Sequence, residues 1–523
     1  MMRCLRRLLP VALLAWSAAC VAAEELLWFE GGRPGAQAHQ AVRLLQQAAI
    51  EGLEPRDYAA AELQQALEAA RSGPPLDAAR VAQVERGLTL AVQRYLGDLH
   101  RGRVDPQQIG HGFDAPRADG FDTAAVLRDA LAAQRLPQAA ADAAPRLPQY
   151  AQLRRALADY RALAGAAAWR RPLPPLPPGA ARAPARLEPR QDYAGLALLA
   201  ERLTLLGDLP AGTPLPPRYE GALVDAVKAF QQRHGLGPDG VLGKDTLAAL
   251  QVDPAARARQ IELAMERLRW TPLLRGPRMV VINVPEFVLR AYEVTDDGRI
   301  VVREQMRVIV GRAYDMRTPL FEEPMRFVEF SPYWNVPPSI ARGELVPKLQ
   351  HDPAHWEREG FEFVTGNGQV VTALSAQGLQ AVTTGQWRIR QRPGPRNALG
   401  YIKFVFPNQD HIYLHHTPAT QLFERTRRDF SHGCIRVEQP VALARFVLQG
   451  MPGWDEPRIR EAMTADRSST LRLQQPVAVP VLIAYGTALF KGGRMQFFYD
   501  LYGHDRVLDA TLRQRPALPW SLQ

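Results

Sequence analysis

The first third of the chain places apolar residues with the period of an α-helix. Val84, Leu88, Ala91 and Tyr95 stand at i, i+4, i+7 and i+11 and share one helical face. A second helical segment, residues 37–53, ends in Gly-Leu-Glu-Pro, which is a stop signal for a helix. The pattern predicts a helical N-terminal domain, and no residue in it stands out as a candidate for chemistry.

Prolines crowd together over residues 169–189, which predicts a stiff, extended connector. A compact unit follows, from about residue 193 to 252. In it a helical segment stops at Gly235, a tight turn follows at Asp239-Gly240, and a second helical segment begins. Val227 and Phe230 are expected to face its core.

The pattern changes to that of β-strands beyond residue 279. Runs 279–284 and 287–292 are separated by Pro285-Glu286, which predicts a hairpin. Further strand-like runs are 300–310, 325–330, 401–406, 411–415 and 477–485. The stretch 332–388 interrupts them with mixed helical and irregular sequence, and we expect it to form an insertion or lid beside the functional site.

Length and composition limit the classes that remain. A chain of 523 residues is too long for one core and predicts roughly two to four domains. With 46% hydrophobic and 23% charged residues, bulk disorder is excluded. The net charge of +10 comes mostly from arginine, but no basic block with interleaved aromatic residues is present, so we expect no nucleic-acid partner.

The N-terminus predicts export. Arginines at positions 3, 6 and 7 precede an apolar stretch, 8–19, and small residues follow it, as in a secretory signal peptide cleaved after Ala23. A lipoprotein cleavage site at Cys20, with peripheral membrane association, is the alternative. No later segment is long and apolar enough to cross a membrane. The expected location is the periplasm.

Cysteine usage then becomes informative. The chain has three cysteines, and cleavage after Ala23 leaves Cys434 alone. An unpaired thiol is chemically exposed in an oxidising compartment, although a buried cysteine can also serve as a small apolar filler. Its neighbourhood, Ser431-His432-Gly433-Cys434-Ile435-Arg436, favours chemistry.

Acyl transfer by cysteine needs a thiolate, a nearby histidine and oriented N–H donors. His415 ends a predicted strand, and His432 lies two residues before Cys434. Gly433 removes side-chain bulk, so that a substrate carbonyl can approach the backbone N–H groups. Arg436 is suited to the capture of a carboxylate.

A metal site is the competing interpretation, because His411, His415, His416, His432 and Cys434 lie close in sequence. Strand alternation places residues 411 and 415 on one face and 416 on the other, and a zinc site would usually need a second close pair. We therefore predict no metal and no cofactor.

The Ser431–Arg436 run, with His415 before it, resembles the signature of the L,D-transpeptidases of the YkuD type. Trp334-Asn335-Val336-Pro337, the run 393–400 and the closing Asp500-Leu501-Tyr502-Gly503 are similar to the large, multidomain YcbB branch. The unit around residues 193–252 resembles the three-helix peptidoglycan-binding domain, with a helical hairpin without ligand as the alternative. The branch more often has an acidic or small residue where this chain has His416.

The resemblance implies a role for each site residue. Cys434 would be the nucleophile and His415 the base that takes its proton. Backbone N–H groups at Gly433 and Cys434 would hold the oxyanion, while His432 and Ser431 shape the site. Arg436 and Tyr413 would bind substrate.

The implied reaction is a 3→3 cross-link between meso-diaminopimelate residues of peptidoglycan stem peptides. A tetrapeptide donor would acylate Cys434, and a diaminopimelate amine would resolve the thioester. Carbapenems would acylate the same thiol. The alternatives are L,D-carboxypeptidase activity, attachment of a wall protein, a papain-like peptidase, and a wall-binding scaffold without catalysis.

The predicted fold class is multidomain α+β. We expect a signal peptide at 1–23, a helical scaffold domain with its connector at 24–190 and a peptidoglycan-binding domain at 191–252, which would bind the glycan strand. A linking helix at 253–276 would lead into a mostly-β catalytic domain at 277–510, with the lid inserted at about 332–388.

Overall fold

The computed structural model describes residues 27–113, 120–179, 184–273, 276–474 and 478–519. The predicted signal peptide and Cys20 lie outside these ranges. Within them, no helix combines the length and the apolar character needed to cross a membrane.

A helical domain forms the N-terminal part. The predicted face of Val84, Leu88, Ala91 and Tyr95 is buried and faces the core of this domain. Asp77 caps their helix by accepting a hydrogen bond from the Arg80 N–H at 2.8 Å. The elements are β1 Phe29–Glu30, β2 Arg33–Pro34, α1 Ala36–Gln46, α2 Ala60–Ser72, α3 Ala78–Arg101, α4 Thr123–Ala132, α5 Leu136–Ala143 and α6 Pro148–Leu163.

A second core belongs to a three-helix unit beyond the proline-rich connector. Val227 and Phe230 are buried in it, as predicted from their spacing. Gly235, at φ +64°, ends the middle helix in the left-handed conformation that glycine adopts most easily. The helices are α7 Leu196–Leu205, α8 Ala222–Arg233 and α9 Lys244–Gln251.

One long helix, α10 Pro254–Trp270, leads from this unit to the β-rich domain and packs against α6. The predicted hairpin follows it, formed by β3 Arg278–Asn283 and β4 Val288–Val294 in antiparallel pairing. The next strands are β5 Ile300–Gly311, β6 Glu322–Pro324 and β7 Phe327–Phe330.

The inserted lid has a small core of its own around Trp356 and Phe363. It contains a four-stranded sheet, in the order β10-β9-β11-β8, where the sequence predicted only mixed helical and irregular structure. The strands are short, and β9 is buried along its whole length, so it shows no polar alternation. Its elements, with a π-helix over Ala341–Leu345, are β8 Trp334–Asn335, α11 Pro338–Ile340, α12 Val346–His351, α13 Ala354–Glu359, β9 Phe361–Val364, β10 Val370–Val371, α14 Ala376–Thr383 and β11 Arg388–Gln391.

The chain returns from the lid into the large sheet. Its remaining elements are β12 Ile402–Val405, β13 Tyr413–His415, β14 Asp429–Ser431, β15 Ile435–Val437, α15 Pro440–Leu448, α16 Glu456–Thr464, β16 Ser469–Arg472, β17 Pro480–Ala484, β18 Ala488–Lys491, β19 Arg494–Phe497 and α17 His504–Arg513. The eleven strands of the curled sheet run β16-β7-β12-β13-β15-β5-β4-β3-β17-β6, with β14 beside β5. The fold class predicted from the sequence is confirmed.

Candidate active site

The candidate site lies on one face of the strands β12, β13 and β15. Phe404, Leu414 and Ile435 face the other way and are fully buried in the core of the domain. Leu414 pairs with Ile435 in parallel register, which places His415 directly beside Arg436. Because side chains alternate along a strand, both of these polar residues project from the face opposite the core.

Cys434 lies one residue before the start of β15. Its Sγ is 3.7 Å from the backbone carbonyl oxygen of His411. Burial raises the pKa of the thiol. Hydrogen bonds from the backbone and the hydroxyl of Tyr413 and the charges of Lys403 and Arg436 oppose that rise. At neutral pH the Cys434 side chain is therefore a thiol rather than a thiolate.

His415 is buried and neutral. Burial, assisted by the positive charge of Arg436, lowers the pKa of its imidazole to about 3. Its Nδ1 lies 2.5 Å from the carbonyl oxygen of His416, so Nδ1 carries the proton and Nε2 has the free lone pair. A neutral imidazole with a free Nε2 can accept a proton from a thiol.

His416 faces away from Cys434. The Tyr401 N–H donates to its Nδ1 at 3.3 Å, and the two rings are stacked with centroids 5.6 Å apart. Gly400 leaves room for this ring, since a Cβ at that position would lie 2.3 Å from it. His416 therefore packs beneath the turn before β12.

The segment that precedes the cysteine is held by a chain of hydrogen bonds. The Ser431 hydroxyl donates to the Cys434 carbonyl oxygen at 2.5 Å and accepts from the Gly433 N–H at 3.2 Å. Thr318 donates to the Gly433 carbonyl oxygen at 2.7 Å. Gly433 has φ +114°, which a residue with a side chain rarely adopts. The run Thr318-Pro319 also resembles the YcbB branch, but the sequence did not indicate that Thr318 contacts this segment.

Arg436 has a guanidinium available for an anion. Its Nε is buried and has no hydrogen-bond partner among the described residues. Burial lowers the pKa of this guanidinium, although arginine stays charged at any ordinary pH. A buried cation with an unfilled donor suits a carboxylate from substrate.

Two further charged residues, Lys403 and Glu329, stand on the same face and were missed by the sequence reasoning. Lys403 pairs with His415 across β12 and β13, and its Nζ is 3.2 Å from Glu329 Oε2. The alternation Ile402, Phe404 and Phe406 towards the core already implied that Lys403 faces away from it.

His432 contacts the lid instead of Cys434. Its Nε2 donates to Glu344 Oε1 at 2.7 Å, and Glu344 belongs to the π-helix. The side chain of His432 is partly exposed, and that of Glu344 is exposed to solvent. The segment that carries Cys434 therefore also contacts the lid.

The histidines considered for a metal do not converge. Among the described residues, no three His, Cys, Asp or Glu side chains come close enough to hold a metal ion together. The side chains of His415, His416 and His432 have different surroundings, as given above.

Three family models match the chain. Residues 22–157 match the scaffold domain, residues 194–250 match the "Putative peptidoglycan binding domain", and residues 277–454 match the L,D-transpeptidase catalytic domain YkuD. The last of these includes every site residue described above.

Known proteins match parts of the chain. The chain is 31% identical over 251 residues to a protein of Haemophilus influenzae described as "Putative L,D-transpeptidase". The match covers 48% of this chain and 49% of the relative, so the chain spans about half of that protein. A crystal structure of an L,D-transpeptidase (residues 123–326) from Xylanimonas cellulosilytica aligns with 57% of this chain and 97% of its own, at 17% identity and a TM-score of 0.19.

The resemblance read from the motif is thereby confirmed. The chain carries a catalytic domain of the L,D-transpeptidase YkuD family, which follows a scaffold domain and a domain of the putative peptidoglycan-binding family.

Proposed function

We propose that this L,D-transpeptidase forms 3→3 cross-links between meso-diaminopimelate residues of peptidoglycan stem peptides. The observation that carries the proposal is the parallel pairing of β13 and β15. It places the strand of His415 next to the strand that begins after Cys434, with the His415 side chain on the face opposite the core.

The first half of the reaction is acylation of Cys434. Its thiol proton passes to Nε2 of His415 as sulfur attacks the carbonyl carbon of the third residue of a tetrapeptide stem. The imidazolium then protonates the amine of the terminal D-Ala, the C–N bond breaks, and a thioester remains.

The oxyanion that forms on the substrate carbonyl oxygen needs N–H donors close to the attacking sulfur. The backbone N–H of Cys434 is the donor that we propose, with the N–H of Gly433 as the second. The Gly433 N–H donates to Ser431 in the resting structure, at 3.2 Å, so it exchanges this partner for the oxyanion.

The second half of the reaction transfers the acyl group. The side-chain amine of diaminopimelate on another stem attacks the thioester, its proton passes through His415, and the thiol of Cys434 is restored. Water as the acceptor would give an L,D-carboxypeptidase by the same route. Arg436 binds a carboxylate of the donor, and Tyr413 contacts the thiol and borders the donor site.

The other domains deliver the substrate. The unit over residues 191–252 would hold the glycan strand while the stem peptide enters the site. Domains that act on peptidoglycan suit a location outside the cytoplasm. Together with the predicted signal peptide at 1–23, this supports the periplasm as the site of action.

The test uses the mature chain and a disaccharide-tetrapeptide. We expect loss of D-Ala and a cross-linked dimer in mass spectra, and neither product with Cys434→Ala. A carbapenem should add to the wild-type protein at Cys434 and not to this variant. Unchanged tetrapeptide together with no drug adduct would overturn the proposal.

A further inference from the structure

Four charged or titratable residues form a straight row across the site face. Glu329 of β7 pairs with Lys403 of β12, Lys403 pairs with His415 of β13, and His415 pairs with Arg436 of β15. Directly paired residues point to the same side of a sheet. The mechanism above uses His415 and Arg436 and leaves the other two without a role.

Lys403 and Glu329 lie close to Tyr413, which contacts Cys434. Lys403 Nζ lies 3.2 Å from Glu329 Oε2 and 4.4 Å from the centre of the Tyr413 ring, whose hydroxyl reaches Cys434. The side chains of Lys403 and Glu329 are 18% and 28% exposed, so a ligand on this face can reach both.

We propose that Lys403 and Glu329 bind the zwitterionic end of the donor's third residue, Lys403 its distal carboxylate and Glu329 its distal ammonium. The inference rests on the proposed function, because it assumes that a diaminopimelate carbonyl lies at Cys434. Lysine has three donors and a carboxylate has several acceptor sites, so the pair can bind the zwitterion without separating.

The lengths agree with this arrangement. β12 and β15 are separated by β13, and neighbouring strands are about 4.8 Å apart, which puts Lys403 about 10 Å from the strand of the nucleophile. Six bonds join the reacting carbonyl carbon of diaminopimelate to its distal carboxylate carbon. At about 1.2 Å of extension per bond they span about 7 Å, to which the bond to sulfur adds about 2 Å. The long side chain of Lys403 covers what is left.

A purely structural salt bridge is the competing explanation, and the chain offers a matched control. Arg303 and Glu293 form a cross-strand ion pair between β5 and β4, with side chains 49% and 24% exposed, away from the site row. Removing either pair costs the sheet a partly exposed ion pair. Only substitution within the pair of Lys403 and Glu329 should change the preference of the enzyme for the residue at the third position of the donor.

The experiment compares two tetrapeptide donors, one with diaminopimelate and one with lysine at the third position. The lysine donor lacks the distal carboxylate and keeps the ammonium. We expect wild type to prefer the diaminopimelate donor in kcat/KM, Lys403→Met to reduce that preference about 10-fold or more, and Lys403→Arg to restore most of it. Glu329→Gln should slow both donors alike, and Glu293→Gln should slow neither. The ratio is the readout, because a change in thiol acidity affects both donors equally.

Binding provides a second measurement that does not need turnover. Cys434→Ala protein should bind the diaminopimelate tripeptide more tightly than the lysine tripeptide, and adding Lys403→Met should remove the difference. An unchanged donor ratio or an unchanged binding difference in the Lys403→Met protein would overturn the inference. If wild type releases no D-Ala from either donor, the proposed function fails, and the binding result alone then decides whether the pair recognises a zwitterion.

Discussion

His415 and Arg436 are direct neighbours on adjacent parallel strands, so the imidazole of the candidate base lies beside a buried cation. Burial and this charge both favour the neutral imidazole, and together they lower its pKa to about 3. The arrangement differs from a preformed thiolate–imidazolium pair, since the guanidinium of Arg436, which we propose as the carboxylate site, keeps the imidazole of the candidate base unprotonated.

This relationship predicts the acid side of the pH profile. The neutral imidazole is the active form, so activity should persist as pH falls below the ordinary histidine pKa of about 6.5 and should decline only as pH approaches the lowered value. Removing the cation with Arg436→Met should raise the pKa of His415 and shift the acid limb of kcat to higher pH. An acid limb near pH 6.5 that this variant does not move would contradict the assignment.

The thiol should titrate above free cysteine. Burial raises the pKa of Cys434. The rate of its alkylation by iodoacetamide should therefore still increase with pH above the usual cysteine pKa of about 8.5. The charge of Lys403 opposes that rise, so Lys403→Met should shift the alkylation profile further towards alkaline pH. Glu293→Gln, on the outlying strands, is the control that should leave the profile in place.

The two adjacent histidines should differ in effect. His415→Ala removes the proposed base and should lower kcat by about 10²–10⁴-fold. His416→Ala removes a ring stacked on Tyr401 and should change thermal stability more than D-Ala release. Rates of D-Ala release and melting temperatures of the two variants check this. The opposite ranking would mean that His415 is not the base.

The regular helices and strands of this fold could be predicted from the sequence because their apolar patterns are long or are accompanied by stop and cap signals. Helix α10 begins at Pro254 after an Asp cap and ends at Trp270, inside the linking segment predicted at 253–276. The lid sheet was missed because strands of two to four residues, one of them buried on both faces, carry no alternation that could be recognised.

Some residues of the candidate site could likewise be predicted from the sequence, and others could not. Cys434 stood out because its motif is local in the chain, and strand alternation alone put His415 on the opposite side from His416. Lys403, Glu329 and Thr318 come to the site through strand pairing or a side-chain contact between distant segments. A single sequence does not specify which strands are neighbours, so their contribution could not be predicted.

Gly433 should not tolerate a side chain. Its φ of +114° disfavours any other residue by about 1–3 kcal/mol, and a Cβ there would lie 3.2 Å from the Ile412 side chain. Gly433→Ala should therefore abolish carbapenem acylation by displacing the Cys434 N–H. Gly453→Ala is matched to it, since Gly453 also has positive φ, +77°, but has open space around it. Comparable stability losses with loss of acylation only at Gly433 would support the proposed oxyanion donors, and full acylation by Gly433→Ala would contradict them.

The lid contact should be weak enough to open. His432 and Glu344 are joined by a single hydrogen bond of 2.7 Å, and pairs exposed to this degree contribute about 0.2–1 kcal/mol. Glu344→Ala should leave the melting temperature nearly unchanged and accelerate hydrogen exchange in the π-helix Ala341–Leu345, whereas Glu357→Ala on the same lid should not. Exchange that Glu344→Ala does not alter would mean that the lid is held by its apolar core at Trp334 and Val336, and that His432 does not hold it.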